Sequence, residues 1–375
     1  MNKNIYVFTG SKKDFEEFIY ERIAPDEDVT YFMELIKDYN ANLRQQHAYM
    51  HGIIDVENLI VAADDYASVF EHVIQNFINI VTTNHDVSNT YLHNPPKRVL
   101  EAIKVSYSDK IQYFGTEYVD IDISKLREIA KAIDTKIIGQ DSAKRNIISN
   151  MYKLCNQSHS KPIVLLLLGD SGIGKTETAK VISSTLGGNL LRIQFSMMQT
   201  TEGYNYIFGA EHSKSSFAKD LLARETNIVL IDEFDKVNPV FYNAFYQLFD
   251  EGMFQDTNYK VDVSRCIFLC TSNFMTEKEV IDKIGMPVFS RFDGMIKYEY
   301  LSDDEKIRFL DEVYEDYIRN HSADERRIIE ESDIYEWHKR NISRFKNMRI
   351  IRSRLEKAIN DLLIEEIIYS KLDES

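Results

Sequence analysis

Pro162-Ile163-Val164-Leu165-Leu166-Leu167-Leu168 runs directly into Gly169-Asp170-Ser171-Gly172-Ile173-Gly174-Lys175-Thr176, and the reading of this junction decides the fold. The first stretch is strand-length and apolar at every position, as a parallel strand buried on both faces requires. The eight residues after it fit G-x-x-x-x-G-K-[ST] without mismatch. Glycines leave backbone N–H groups free to wrap phosphate oxygens. The helix read from Glu177 to Leu186 then presents its positive end to the same anion. In such a loop Lys175 reaches the β and γ phosphates, and the Thr176 hydroxyl ligates Mg²⁺.

A second strand completes the pattern. Asn227-Ile228-Val229-Leu230-Ile231-Asp232-Glu233 is apolar until it ends in two carboxylates. The C-terminal end of a parallel strand opens onto the crevice where open α/β sheets bind ligands. Asp232 is therefore expected to hold the Mg²⁺ shell with Thr176, and Glu233 to orient and polarise an attacking water. ATP and Mg²⁺ are the expected cofactors, and no N-K-x-D base-reading motif of a GTPase is visible.

At 375 residues the chain exceeds one ordinary core. No apolar run approaches the roughly eighteen residues that span a bilayer, and Met1-Asn2-Lys3-Asn4 does not open a secretion signal. Cys155, Cys266 and Cys270 read as buried thiols in a reducing compartment, so a cytoplasmic protein is expected. Net charge is −15, and residues 1–90 carry six Lys/Arg against fifteen Asp/Glu. An acidic first quarter repels nucleic acid and anionic membrane, both of which are bound through Lys and Arg.

Residues 1–120 read as a mainly helical α+β domain. Asn4 to Phe8 is its strand, and Lys12 to Arg22, Val29 to Tyr49, Tyr66 to Ile80 and Val99 to Val105 are its helices. His47 and His51 stand four apart, but no third ligand and no H-E-x-x-H glutamate accompany them, so no metal site is expected. Residues 121–300 alternate between strand and helix. Strands at Ile163–Leu168, Leu190–Gln194, Ile228–Ile231 and Cys266–Thr271 predict a doubly wound parallel sheet. A helix from Asp141 to Leu154 is expected to be capped by that aspartate. Residues 301–375 read as a small helical lid, with helices over Asp303 to Arg319, Asp333 to Ser343 and Arg349 to Lys371.

From Ile137 to about Leu372 these segments resemble the AAA+ ATPases, in particular the Clp/chaperone type. Ile137-Ile138-Gly139-Gln140-Asp141 is similar to the segment that lies against adenine in that family, which implies adenine contacts for Ile137 and Ile138. Ile228 to Glu233 followed by Phe234-Asp235-Lys236-Val237 resembles the Walker B strand, as Gly169–Thr176 resembles Walker A. Phe268-Leu269-Cys270-Thr271-Ser272-Asn273 resembles the sensor-1 strand, with Asn273 as its polar tip beside the water or γ-phosphate. Phe289-Ser290-Arg291-Phe292-Asp293 resembles the arginine-finger segment, which makes Arg291 a catalytic group supplied to a neighbouring subunit. Asn347-Met348-Arg349-Ile350-Ile351-Arg352 stands where the family has G-A-R. Arg349 is the matching sensor-2 residue, although the glycine is missing and Arg352 and Arg354 are close.

An arginine finger implies self-assembly into a ring or partial ring, a hexamer by the family pattern. Clp-type unfoldases grip polypeptide with a glycine- and aromatic-rich pore loop. Here the stretch after Ile207-Phe208-Gly209-Ala210 reads Glu211-His212-Ser213-Lys214-Ser215-Ser216-Phe217, shorter and without an aromatic between glycines. Gly203-Tyr204-Asn205-Tyr206 just upstream is the alternative gripping segment, but its position does not match the family's. The resemblance therefore implies ATP hydrolysis that remodels or regulates a dedicated protein partner recruited through residues 1–120. The alternative is an ATP-gated switch or scaffold that recruits an effector, including in a bacterial or phage defence or stress system. A nucleic-acid-loading ATPase ranks lower on charge.

Overall fold

The structure is a computed structural model describing residues 4–44, 53–195 and 201–369, with side chains of 41–44 left aside. His47 and His51 lie outside the described residues. Two five-stranded parallel sheets carry the chain, with helices between strands and an all-helical segment at the end.

The first sheet comprises β1 (Asn4–Thr9), β2 (Val29–Tyr31), β3 (Ile54–Val61), β4 (His85–His93) and β5 (Ile111–Gly115), in the order β2-β3-β4-β1-β5. Strand alternation divides β1 between two cores. Ile5 and Val7 join the cluster with Val99 and Ile103, while Phe8 packs with Phe15 and Phe18 of the helix Lys12–Tyr20. That helix starts sharply because Ser11 accepts the Asp14 N–H at its N-cap.

This sheet is larger than the one strand expected from sequence, and its strands alternate with helices. The reason is chemical. Asparagine is depleted in strands, yet Asn4, Asn89 and Asn58 align on adjacent strands. Asn4 donates to Asn89 at 3.1 Å, Asn89 to Asn58 at 3.2 Å, and Asn58 to Glu27 at 3.1 Å. The amide ladder satisfies polar groups that would otherwise mark these segments as loops. Val29–Tyr31, read as the start of a helix, is instead the edge strand, and the helix begins at Phe32.

The second sheet comprises β6 (Ile163–Leu168), β7 (Leu191–Gln194), β8 (Ile228–Asp232), β11 (Ile267–Thr271) and β12 (Gly294–Lys297). Its order is β12-β6-β11-β8-β7, and a separate hairpin pairs β9 (Met253–Gln255) with β10 (Lys260–Asp262). All four strands expected here are present, with a fifth, β12, added at the edge. β12 has only four residues and opens with glycine, too short a pattern to read. Val164, Leu166 and Leu168 face one core and Ile163, Leu165 and Leu167 the other. The helix Asp141–Met151 is capped by Gln140 in the left-handed region (φ 62°) with no side-chain cap bond, a correction to the aspartate cap expected there. Asp141 is the helix's first residue.

Residues 303–369 are helical, in Asp303–Arg319, Ala323–Glu331, Ile334–Arg340 and Met348–Ile364, around a core of Leu310, Ile351, Leu355 and Ile359. Among the described residues no helix is long and apolar enough to cross a membrane.

Candidate functional site

Three glycines of the loop Gly169–Thr176, Gly169, Gly172 and Gly174, lie at positive φ. Gly169 sits at φ +133°, and a Cβ there would lie 2.7 Å from Ile173 and 2.8 Å from the Tyr298 carbonyl. Gly174 at φ +109° occupies the N-cap of the helix Lys175–Thr185, a conformation L side chains rarely adopt. Lys175 is buried. Its ammonium donates to the Gly169 carbonyl, to Asp170 O at 3.1 Å and to Ser272 O at 2.9 Å. Burial pulls its pKa down to about 8, against the pull of Asp170, Asp232 and Asp235.

Above the loop lies a cavity of about 800 Å³. Of the expected residues, Ile137, Ile138, Ser171, Gly172, Gly174, Lys175, Thr176, Asp232, Glu233, Asn273 and Arg349 line it. Gly169, Asp170 and Ile173 belong to the loop without lining the cavity. Arg291 stands elsewhere, its Nε 2.8 Å from Asp250 and its guanidinium 4.2 Å over the Tyr246 ring. Arg352 lines the cavity beside Arg349, whereas Arg354 lines a different one within the helical segment.

The carboxylates are held by residues that sequence reading passed over. Asp232 takes the Arg192 guanidinium on one oxygen and the Thr271 hydroxyl, at 2.5 Å, on the other. Glu233 sits in the left-handed region (φ 55°), with its N–H donating to Thr271 at 2.9 Å. Its carboxylate receives Gln194 at 3.1 Å and Lys236 at 2.6 Å. Arg192 and Gln194 are alternate residues at the C-terminal end of β7, beside β8. Polar residues at a strand terminus next to the carboxylate strand were the available signal.

Thr176 and Asp232 offer hard oxygen donors to one cavity beside a buried lysine, a set that suits Mg²⁺. The helical segment closes over the loop through Asn347, whose side chain donates to Ser171 O at 3.0 Å, while Met348 N–H donates to Gly172 O at 3.2 Å.

Residues 160–322 match the family described as AAA domain (Cdc48 subfamily). Among curated proteins, the chain is 30% identical over 254 residues to the ATP-dependent Clp protease ATP-binding subunit ClpL of Staphylococcus aureus strains USA300 and NCTC 8325. The same protein of strain MRSA252 is 29% identical over 254 residues. Each match covers 60% of this chain and 33% of the relative, so the chain spans about a third of the length of these relatives.

Proposed function

We propose that this chain, which carries an AAA+ domain of the Clp type, hydrolyses ATP with Mg²⁺ in an assembly of its own copies and acts on one dedicated protein partner. Residues 1–120 serve as the recruiting unit, 121–300 as the ATPase core and 301–375 as the lid. The observation that carries the reading is the gathering of Lys175, Thr176, Asp232, Glu233, Asn273 and Arg349 around one cavity.

The chemistry follows from electrostatics. Thr176 and Asp232 would hold Mg²⁺, which neutralises charge between the β and γ phosphates. Lys175 exchanges three carbonyl partners for phosphate oxygens, regaining the stabilisation that burial withholds. Glu233 leaves Gln194 and accepts a hydrogen bond from the attacking water. Asn273 orients that water, Arg349 reports the phosphate to the lid, and Ile137 and Ile138 pack on adenine. Arg291, absent from its own subunit's cavity, would complete a neighbour's.

The segment Glu211–Phe217 supports a dedicated partner over general threading. His212 is buried against residues of the first sheet's unit, its ring nitrogens 2.6 Å from Glu71 and 2.9 Å from the Val69 carbonyl. A segment fastened in this way is poorly suited to gripping substrate. The same clasp favours a second reading, an ATP-gated scaffold whose cycle resets an assembly. Phosphate release from ATP by the full chain tests the common core. Absence of turnover with Mg²⁺ at every protein concentration would overturn it.

A further inference from the structure

Both oxygens of Asp232 are taken by the protein's own donors. Nε of Arg192 donates to Oδ2 at 3.1 Å, its Nη2 donates to the same atom, and the Thr271 hydroxyl donates to Oδ1 at 2.5 Å. The two partners differ in kind. Thr271 is buried and neutral, and its oxygen also accepts the Glu233 N–H at 2.9 Å, so it belongs to the frame of the strand ends. Arg192 is charged and its side chain is half exposed, whereas that of Asp232 is nearly buried.

Strand pairing alone does not bring Arg192 to this carboxylate. In the β7–β8 register Gln194 stands opposite Asp232, and Arg192 stands opposite Leu230, two residues back. The arginine reaches along the strand to the end that opens on the 800 Å³ cavity, which both residues line. β7 is the edge strand of its sheet, so the half-exposed guanidinium has room to swing away. Among the described residues it has no other hydrogen-bond or ionic partner.

Other cations of the cavity are engaged elsewhere. The Lys175 ammonium rests on the carbonyls of Gly169, Asp170 and Ser272. Lys180 pairs with Glu177 at 3.3 Å, and Arg352 with Glu356 at 3.9 Å. Arg192 is thus the one cation of these four that neutralises the carboxylate expected to serve Mg²⁺.

We infer, building on the ATPase reading, that Arg192 competes with Mg²⁺ for Asp232 and so sets the cation concentration at which the site loads. It acts through Asp232, as a positioning residue. A guanidinium on the carboxylate cancels the charge that attracts a divalent cation and repels that cation directly. Its displacement costs least when nucleotide is present, because the freed N–H groups then find phosphate oxygens in the same cavity. A cation arriving alone would leave the guanidinium unpaired. Arg192 therefore favours loading of Mg²⁺ together with phosphate over loading of the metal by itself.

The test is the affinity of the full chain for a fluorescent, slowly hydrolysed ATP analogue across a Mg²⁺ series at low salt. Arg192→Gln should lower the Mg²⁺ concentration for half-maximal tightening about fivefold, the weight of one partly exposed ion pair. Arg192→Lys keeps the charge and should stay within about twofold of the parent, which a merely structural role for the guanidinium would not require. The gap between Arg192→Gln and the parent should close at about 1 M salt, where such a pair is screened. An unchanged midpoint in Arg192→Gln would reduce the pair to a tie between strands, and a raised one would make Arg192 the group that orients Asp232 for the metal. Either result overturns the competition while leaving the ATPase reading in place. A parent protein that binds no analogue at any Mg²⁺ concentration would sink that reading, and this role with it.

Discussion

The Asn347 side chain joins two parts of the molecule that sequence separates by more than a domain's breadth. Its amide donates to the Ser171 carbonyl at 3.0 Å, and its oxygen accepts the Ile350 N–H at 3.0 Å, capping the helix Met348–Ile364. One residue thus starts the helix Met348–Ile364 and fastens it to the loop Gly169–Thr176.

Asn347→Ala should therefore have two effects. Loss of the cap costs about 1 kcal/mol of stability, visible as a lower thermal midpoint. Loss of the tie should weaken nucleotide binding several-fold. Asn347→Ser retains a capping oxygen but not the amide donor, so it should recover the midpoint without recovering affinity. Unchanged affinity in the alanine variant would show that the tie does not couple lid and loop.

Glu233 is held by Gln194 and Lys236. In Glu233→Gln, ATP should still bind and turnover should nearly vanish, since an amide cannot accept the water's hydrogen bond as a carboxylate does. Gln194→Ala should act in the opposite direction. Releasing one hydrogen bond, worth about 1 kcal/mol, should raise basal phosphate release about fivefold at unchanged KM. A fall in turnover would identify Gln194 as a residue that positions Glu233 for catalysis.

The second sheet and most of its site were legible because their signals are local. An all-apolar strand, a glycine loop and a strand ending in Asp232-Glu233 each carry their chemistry in consecutive residues. Of the first sheet only β1 was legible, because the other strands are stabilised laterally. Asn58 and Asn89 look like loop residues until they are seen bonded to each other across β3 and β4. Arg192, Gln194 and Thr271 escaped for the same reason, since each acquires its role from a carboxylate on the adjacent β8. Tyr206, weighed as a substitute gripping residue, is buried with its hydroxyl 2.5 Å from Asp220.

Arg291 does not line the cavity and is paired with Asp250 of the helix Tyr242–Glu251. Arg291→Ala should bind ATP nearly as the parent does and lose turnover by roughly 10³–10⁵, the range for arginine fingers. Mixed with Glu233→Gln protein, some interfaces regain both groups, and activity should partly return. No recovery at any ratio, with subunit exchange demonstrated, would place the finger elsewhere.

His93 makes the N-terminal unit sensitive to acid. Burial lowers its pKa below 6.5, outweighing the Gly10 carbonyl and the carboxylates of Asp64 and Glu16, while Lys12 adds to the lowering. The unfolded chain therefore binds the proton more readily than the folded one. The associated stability is fully present above about pH 6.5 and is lost as pH falls below it. The thermal midpoint should drop between about pH 7 and pH 5, and His93→Gln should flatten that slope. An identical slope in the variant would assign the acid sensitivity to other groups.

The last prediction concerns what the hydrolysis energy does. Threading requires a side chain that contacts substrate and moves with nucleotide state, and large aromatics bury the most area per residue. Glu211–Ser216 supplies charge and hydroxyls, and His212 within it is clasped by Glu71 and Val69. Tyr204 is the exposed aromatic nearby, and it packs on Phe208 at 4.6 Å. The protein should therefore leave a stably folded reporter with an unstructured tail intact in the presence of ATP, while still releasing phosphate. His212→Ala removes the clasp and should raise hydrogen exchange across residues 211–217 without converting the protein into an unfoldase. ATP-driven loss of the reporter's native signal, abolished by Tyr204→Ala, would show that the helix Thr201–Phe208 carries the grip and that the protein threads its substrates.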